Sequence, residues 1–309
     1  MAGLLMALVT ATGLFNENFF NPFTLRGVAR DTAILSLFAL GQAVVIISGG
    51  IDLSVGSLIA FVGVTLISLL NRFDGMPLVV AVLIVMALAA VVGLMHGLLI
   101  CLLDLQPFLV TLCSLLVFRG LSRVLTGDSV VAYNPESRPW LTGLGDATVL
   151  GAPLAVYVLV AAFIPLALFM HFTVPGRHLH AIGSNLQAAR YSGVSVSALR
   201  ITSYVICAVM TALAAVLEAG SIGSVTPSSA GLAYEMYGIT AAVLGGCALR
   251  GGRGSLLGVI IGAAMLRVLR SAVIFLDIST YWTFAVTGLV LLFAVVIDAL
   301  VRQRRERAL

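Results

Sequence analysis

The sequence predicts an all-α integral membrane protein, and three observations carry the prediction. Apolar residues make up 61% of the 309 residues and charged residues 10%, against about 45–50% and about 25% in soluble domains. Uncharged apolar runs recur between charges: Asp31 to Asp52, Asp52 to Arg72, Asp74 to Asp104, Asp146 to Arg177, Arg200 to Glu218 and Asp277 to Asp298. Each approaches or exceeds the roughly 20 residues of a spanning helix. The runs are continuous, whereas a transmembrane β-barrel would alternate in segments of about 10 residues.

Turns at Pro, Gly, Asn and charged residues divide these runs into about ten crossings, at 1–15, 32–49, 53–70, 78–103, 108–126, 152–172, 198–223, 237–250, 255–275 and 283–301. The first is short, has neither the basic start nor the small-residue cleavage site of a signal peptide, and reads as a helix that lacks its start. The arginine tail Arg302, Arg304, Arg305 and Arg307 belongs in the cytoplasm by the positive-inside rule. An even number of crossings then puts both termini there. The same threading places Arg177, Arg190, Arg200, Arg250 and Arg253 inside, and Arg26, Arg30, Arg72 and Arg138 outside. Two polar stretches interrupt the pattern, Gly127 to Leu150 on the outer side and Pro175 to Ala198 on the inner.

Composition also excludes chemistry. Every basic residue is Arg and none is Lys, so neither a phosphate-binding P-loop nor a lysine Schiff base is available. Nucleotide hydrolysis must then belong to another polypeptide. Cys101, Cys113, Cys207 and Cys247 lie in apolar runs without C-x-x-C spacing and read as small buried hydrophobes. His178 and His180 lack a zinc-binding spacing, so no metal site is expected, nor any nucleic-acid partner.

The first motif with mechanical content is Gly49-Gly50-Ile51-Asp52-Leu53-Ser54-Val55-Gly56-Ser57. Paired glycines weaken a helix, and Asp52 or Ser54 can accept from the free N–H groups of a new helix start. The motif reads either as a broken helix beside a translocation path, involving Gly49, Gly50, Asp52, Ser54 and Ser57, or as a tight turn between crossings. A second glycine-rich turn, Gly251-Gly252-Arg253-Gly254-Ser255, precedes the run containing Gly258 and Gly262. With the first it points to an internal repeat, segments two to five against seven to ten. In the inner loop, Ser184 or Asn185 can cap a short helix that Gly193 ends. Two turns are unstable alone, so either a partner or the chain's own crossings must hold them.

These residues resemble the permease subunits of bacterial ribose-type ATP-binding-cassette importers. The resemblance covers nearly the whole chain. Its carriers are Ile47 to Ser57, Gln106-Pro107-Phe108 to Thr111, Phe118-Arg119-Gly120-Leu121, the Ala181 to Gly193 pattern and Gly251 to Gly258. It implies a single permease domain over 1–309 with a coupling loop at 175–198, set in the lipid of the bacterial inner membrane. It also implies a second permease subunit forming the pore, partner ATPase subunits carrying ATP and Mg, and a periplasmic or lipid-anchored solute-binding protein. No cofactor is expected on this chain. Gly183, Asn185, Ala188, Ala189, Arg190 and Gly193 would couple to the ATPase.

Two departures bear on the solute. The family commonly carries Asn-Gly where this chain reads Arg270-Ser271-Ala272, and Glu218 falls where an apolar residue is expected. Glu218 and Arg270 reach similar depth and either snorkel separately or pair as an outer gate. An intramembrane protease finds little support, because Gly143-Leu144-Gly145-Asp146 has no second membrane aspartate beside it. An ion-coupled carrier is the remaining alternative, with few deep carboxylates to serve it.

Overall fold

A computed structural model describes residues 1–73, 75–133, 139–277, 279, 281–282, 285–286, 288–290, 292 and 296. Among them, seven helices are long and apolar enough to cross a membrane. In order these are α2 (Pro22–Ile47), α3 (Val55–Arg72), α4 (Leu78–Leu102), α5 (Pro107–Thr126), α7 (Leu154–Phe172), α10 (Val196–Ile222) and α12 (Leu256–Phe275). Shorter helices fill the intervals: α1 (Ala2–Phe15), α6 (Pro139–Asp146), α8 (Val174–Ser184), α9 (Leu186–Tyr191) and α11 (Tyr234–Leu244). The all-α reading holds, with four two-residue strands as the only sheet among the described residues. β1 (Val131–Ala132) pairs with β4 (Ser224–Val225), and β2 (Thr148–Val149) with β3 (Ala152–Pro153), both antiparallel.

Two expectations need correction and a third lies largely beyond the described residues. The second crossing begins at Pro22 rather than 32, because Asn21 caps it by accepting from the Phe23 N–H at 2.9 Å and Pro22 fits the first helical position. Arg26, Arg30 and Asp31 are therefore helical, with Arg30 and Asp31 paired at 3.4 Å where the helix is still partly exposed. The eighth crossing shrinks to α11, 11 residues long, which at 1.5 Å per residue spans only about 16 Å. Ala233 at φ +63° starts it and the Gly245-Gly246 turn ends it. The tenth segment, 283–301, lies largely outside the described residues, so ten crossings are not established.

The packing is centred on α2. Every residue from Ala33 to Ile47 is buried, which is the all-round burial of an interior helix rather than an amphipathic one. Helices α10, α12, α11 and α7 surround it. Small residues let backbones approach. On α4, Gly93 and Gly97 form a G-x-x-x-G face, and a Cβ on either would stand 2.7 Å from Val205 Cα or 2.6 Å from Ile201 Cα of α10. Gly41 of α2 meets Cys207 of α10 in the same way, with 2.8 Å left for a Cβ. In lipid, where apolar burial between helices gains little, such close contacts supply the association. The outer faces of α4, α5 and α7 expose Val79, Leu83, Val91, Leu116, Val160 and Leu168, as lipid-facing surfaces do.

The bundle has two recognisable ends. At one, the turns after α2 and α11 meet the end of α8, which α9 follows. At the other, β1 pairs with β4, Asn71 donates to the Ala132 carbonyl at 2.9 Å, and α6 packs on the end of α10.

Candidate functional site

The first glycine motif is a compact turn with a carboxyl cap. Ser48 ends α2, Gly49 adopts φ +83°, and the chain re-enters a helix at Val55. Asp52 Oδ1 accepts from the Ser54 N–H at 2.8 Å and from the Ser54 hydroxyl at 2.6 Å, and Ser57 donates to the Ser54 carbonyl at 2.9 Å. Asp52, Ser54 and Ser57 are all buried, so the cap is internal to the bundle.

Three helices complete this polar cluster with residues that sequence spacing did not single out. The Gln42 amide donates to the Asp52 carbonyl at 3.0 Å and accepts from the Asp52 N–H at 3.2 Å. His96 of α4 places Nδ1 3.8 Å from Asp52 Oδ2, beyond hydrogen-bond length, while its Nε2 lies 2.8 Å from the Ser114 hydroxyl of α5. Gln42, His96 and Ser114 are buried as well. The available signal was their polarity inside uncharged runs, since ionisable groups at such depth are costly and mark function.

The second glycine motif lies against the first. The Gly252 N–H donates to the Ile47 carbonyl at 2.9 Å, which satisfies one of the four carbonyls that the end of α2 leaves free. A Cβ on Gly251 would stand 3.0 Å from the Cα atoms of both Gly49 and Gly183. Gly183, near the end of α8, sits between the two turns: a Cβ there would collide with the Ile47 carbonyl and the Gly252 N–H. Both motifs underlying the repeat expectation thus touch one residue of the inner loop.

That loop contains two helices where one was expected. Thr173 caps α8 by accepting from the Gly176 N–H at 3.2 Å, and Asn185 caps α9 by accepting from the Ala188 N–H at 2.9 Å. Gly193 follows α9 at φ +77°, as a left-handed terminating glycine does. Leu179 and Ile182 anchor α8, and Ala189 packs with Ile182 and Val196 of its own chain. Ala188, Arg190 and Tyr191 face outward, Tyr191 at 86% exposure. The two adjacent alanines therefore divide, one toward the chain and one away from it.

Glu218 and Arg270 line one cavity of about 400 Å³, together with Tyr234, Tyr237, Thr226 and Ser229. Of the two readings open for them, separate positions or an ion pair, no Glu218–Arg270 ion pair is present among the described residues. Glu218 Oε1 accepts from the Tyr234 hydroxyl at 2.7 Å instead. Arg267, one turn earlier on α12, lies 6.0 Å from the centre of the Tyr234 ring, and Arg270 is exposed at the rim. Helix α11 supplies the intervening tyrosine. Among the described residues no cluster of His, Cys, Asp and Glu could hold a metal.

Residues 24–295 match the family described as branched-chain amino acid transport system / permease component. The ribose import permease protein RbsC of Escherichia coli (strain K12) is 34% identical over 295 residues, covering 95% of this chain and 91% of that protein. RbsC of Bacillus subtilis (strain 168) gives 34% identity with 95% and 90% coverage. The autoinducer 2 import system permease protein LsrC of Enterobacter sp. (strain 638) is 34% identical over 99% of this chain and 88% of its own length. No solved structure matches. These likenesses support an importer permease and give nothing to the ion-coupled alternative.

Proposed function

Because the chain belongs to the family of branched-chain-type transport permease components, we propose that it conducts a sugar or similar small polar solute into the bacterial cytoplasm as the membrane subunit of an ATP-driven importer. Its relatives named for ribose and autoinducer 2 import support that solute class. The sequence contains no Lys, so the nucleotide-binding lysine and its ATP and Mg belong on a separate ATPase. A solute-binding protein and a second permease subunit complete the assembly, and both termini face the cytoplasm.

The observation that carries the coupling part of this reading is the position of Gly183. The outward face of α9 docks on the ATPase, and α8 ends where the two turns meet. Displacement of α8 and α9 during the nucleotide cycle then acts directly on the inner ends of α2, α3, α11 and α12. Gly183 bears directly on the Ile47 carbonyl and the Gly252 N–H, so the bundle responds by rigid-body shifts. The polar cluster at Asp52 keeps the turn between α2 and α3 a fixed unit during such shifts.

Uptake of labelled D-ribose by cells carrying the whole importer tests the reading. Uptake should require an ATPase with an intact nucleotide-binding lysine and should survive collapse of the proton gradient while ATP is maintained. Uptake that follows the gradient and ignores the ATPase would overturn it.

A further inference from the structure

We propose that the cavity at Glu218 is a binding subsite for a neutral polyhydroxylated solute, with the free carboxylate oxygen of Glu218 accepting from a solute hydroxyl. The proposal rests on the importer reading and assigns part of the transport path to named residues. At about 400 Å³ the cavity falls within the roughly 300–1,000 Å³ common for small-molecule sites. It is built from five pieces of chain: α3, α10, the 224–232 segment, α11 and α12.

Glu218 is the residue that needs a ligand. Its Oε1 is occupied by the Tyr234 hydroxyl, while Oε2 is enclosed and has no hydrogen-bond partner among the described residues. A buried carboxylate oxygen without a partner is costly, and neither nearby arginine relieves it. Arg267 lies over the Tyr234 ring, with its own Nε unsatisfied, and Arg270 stays at the exposed rim. A solute hydroxyl entering the cavity can donate to Oε2.

The remaining lining fits a polyol. Tyr234 is held from behind by Phe38, stacked at 5.3 Å and 17°, and Tyr237 stands edge-on to it at 6.1 Å. This holds the two tyrosines as a fixed aromatic part of the cavity wall. Ser224, Thr226 and Ser229 add hydroxyls that can donate or accept, and Arg270 adds a charged donor at the mouth. The lining itself carries one carboxylate and one guanidinium, Glu218 and Arg270, opposite formal charges that suit an uncharged guest.

Protection from labelling tests the subsite. Cys101 and Cys113 are replaced by Ser, leaving the buried Cys207 and Cys247, and Ser229→Cys places a thiol in the cavity wall. In nanodiscs, D-ribose should slow maleimide labelling of this thiol. Glu218→Gln should raise the ribose concentration needed about tenfold, the scale of one hydrogen bond to a charged group, and Glu218→Ala should abolish protection. Equal protection in all three chains, or protection by leucine and not by ribose, would overturn the proposal. So would absence of ribose protection in a chain that still co-purifies with its ATPase. Failure of the unmodified chain to bind an ATPase would count against the importer reading instead, and the labelling result would still decide the subsite.

Discussion

The backbone N–H of Gly252 donates to the carbonyl of Ile47 at 2.9 Å. This one bond joins turns that lie two hundred residues apart in the chain, and Gly183 closes against both of its atoms. The contact links the break before α3, the break before α12 and the end of α8. A shift of any one of the three must move or separate the others.

The first prediction follows from the absence of space there. Gly183→Ala places a Cβ against backbone on both sides, which cannot be relieved by a rotamer change. The chain should still insert and bind ATPase, with stability lowered by about 1–3 kcal/mol, the usual cost of overpacking. ATP hydrolysis should become uncoupled from D-ribose uptake in proteoliposomes. Normal coupling in the Ala variant would show that the junction transmits nothing.

A second prediction separates the neighbouring alanines of α9. Ala188→Trp adds bulk to the outward face and should abolish ATPase co-purification without changing the chain's melting temperature. Ala189→Trp forces bulk into the cluster with Ile182 and Val196 and should lower the melting temperature. If Ala188→Trp still retains the ATPase, α9 is a connector rather than a docking surface.

Sequence alone made much of this legible, for identifiable physical reasons. Long uncharged runs located α3, α4, α5, α7, α10 and α12 within a few residues, because lipid demands continuous apolar helices. The start of α2 was hidden because Arg26, Arg30 and Asp31 look like a loop until the Asn21 cap is seen. Helix α8 was read as loop because its polar residues and two histidines mask the anchors Leu179 and Ile182. Asp52 and Ser54 were recognisable as a cap from adjacent residues. Gln42, His96 and Ser114 were not, since three helices bring them together and no spacing records that. Glu218 and Arg270 line one cavity, but Tyr234, which bonds Glu218 where pairing with Arg270 was only one of two readings, arrives through an unusually short helix.

The cap at Asp52 gives a third prediction. Asp52→Ala removes the acceptor for both Ser54 donors and leaves them buried, so stability should fall by about 2–4 kcal/mol, combining the loss of a cap with charge-assisted bonds. Asp52→Asn keeps an oxygen in the same place and should cost about half as much. Thermal unfolding in detergent distinguishes the two. Equal losses would mean that the carboxylate charge, rather than its cap geometry, matters.

The fourth prediction concerns the α4–α10 contact. Gly97→Val would drive a branched side chain into the Ile201 backbone, separating helices that depend on close approach. Expression should fall, and the purified remainder should unfold at lower temperature. Gly120→Val on α5, where a Cβ meets nothing within 4 Å, should be tolerated. Similar damage from both would point to a general intolerance of β-branching rather than to packing.

The last prediction fixes orientation. Leu150, 96% exposed, and Tyr191, 86% exposed, flank the path through α7, α8 and α9. Between Leu150 and the start of α8 the chain makes one crossing, α7, whose 19 residues span about 28 Å, close to the bilayer's hydrocarbon thickness of about 30 Å. With α7 crossing the membrane, the two positions lie on opposite sides of it. If α9 meets a cytoplasmic ATPase, Leu150 is periplasmic. In a chain lacking Cys101 and Cys113, Leu150→Cys should react with a membrane-impermeant thiol reagent added to spheroplasts, and Tyr191→Cys only after permeabilisation. The opposite pattern would put α9 outside, where no ATPase could reach it, and would remove the coupling role from α8, α9 and Gly183 together.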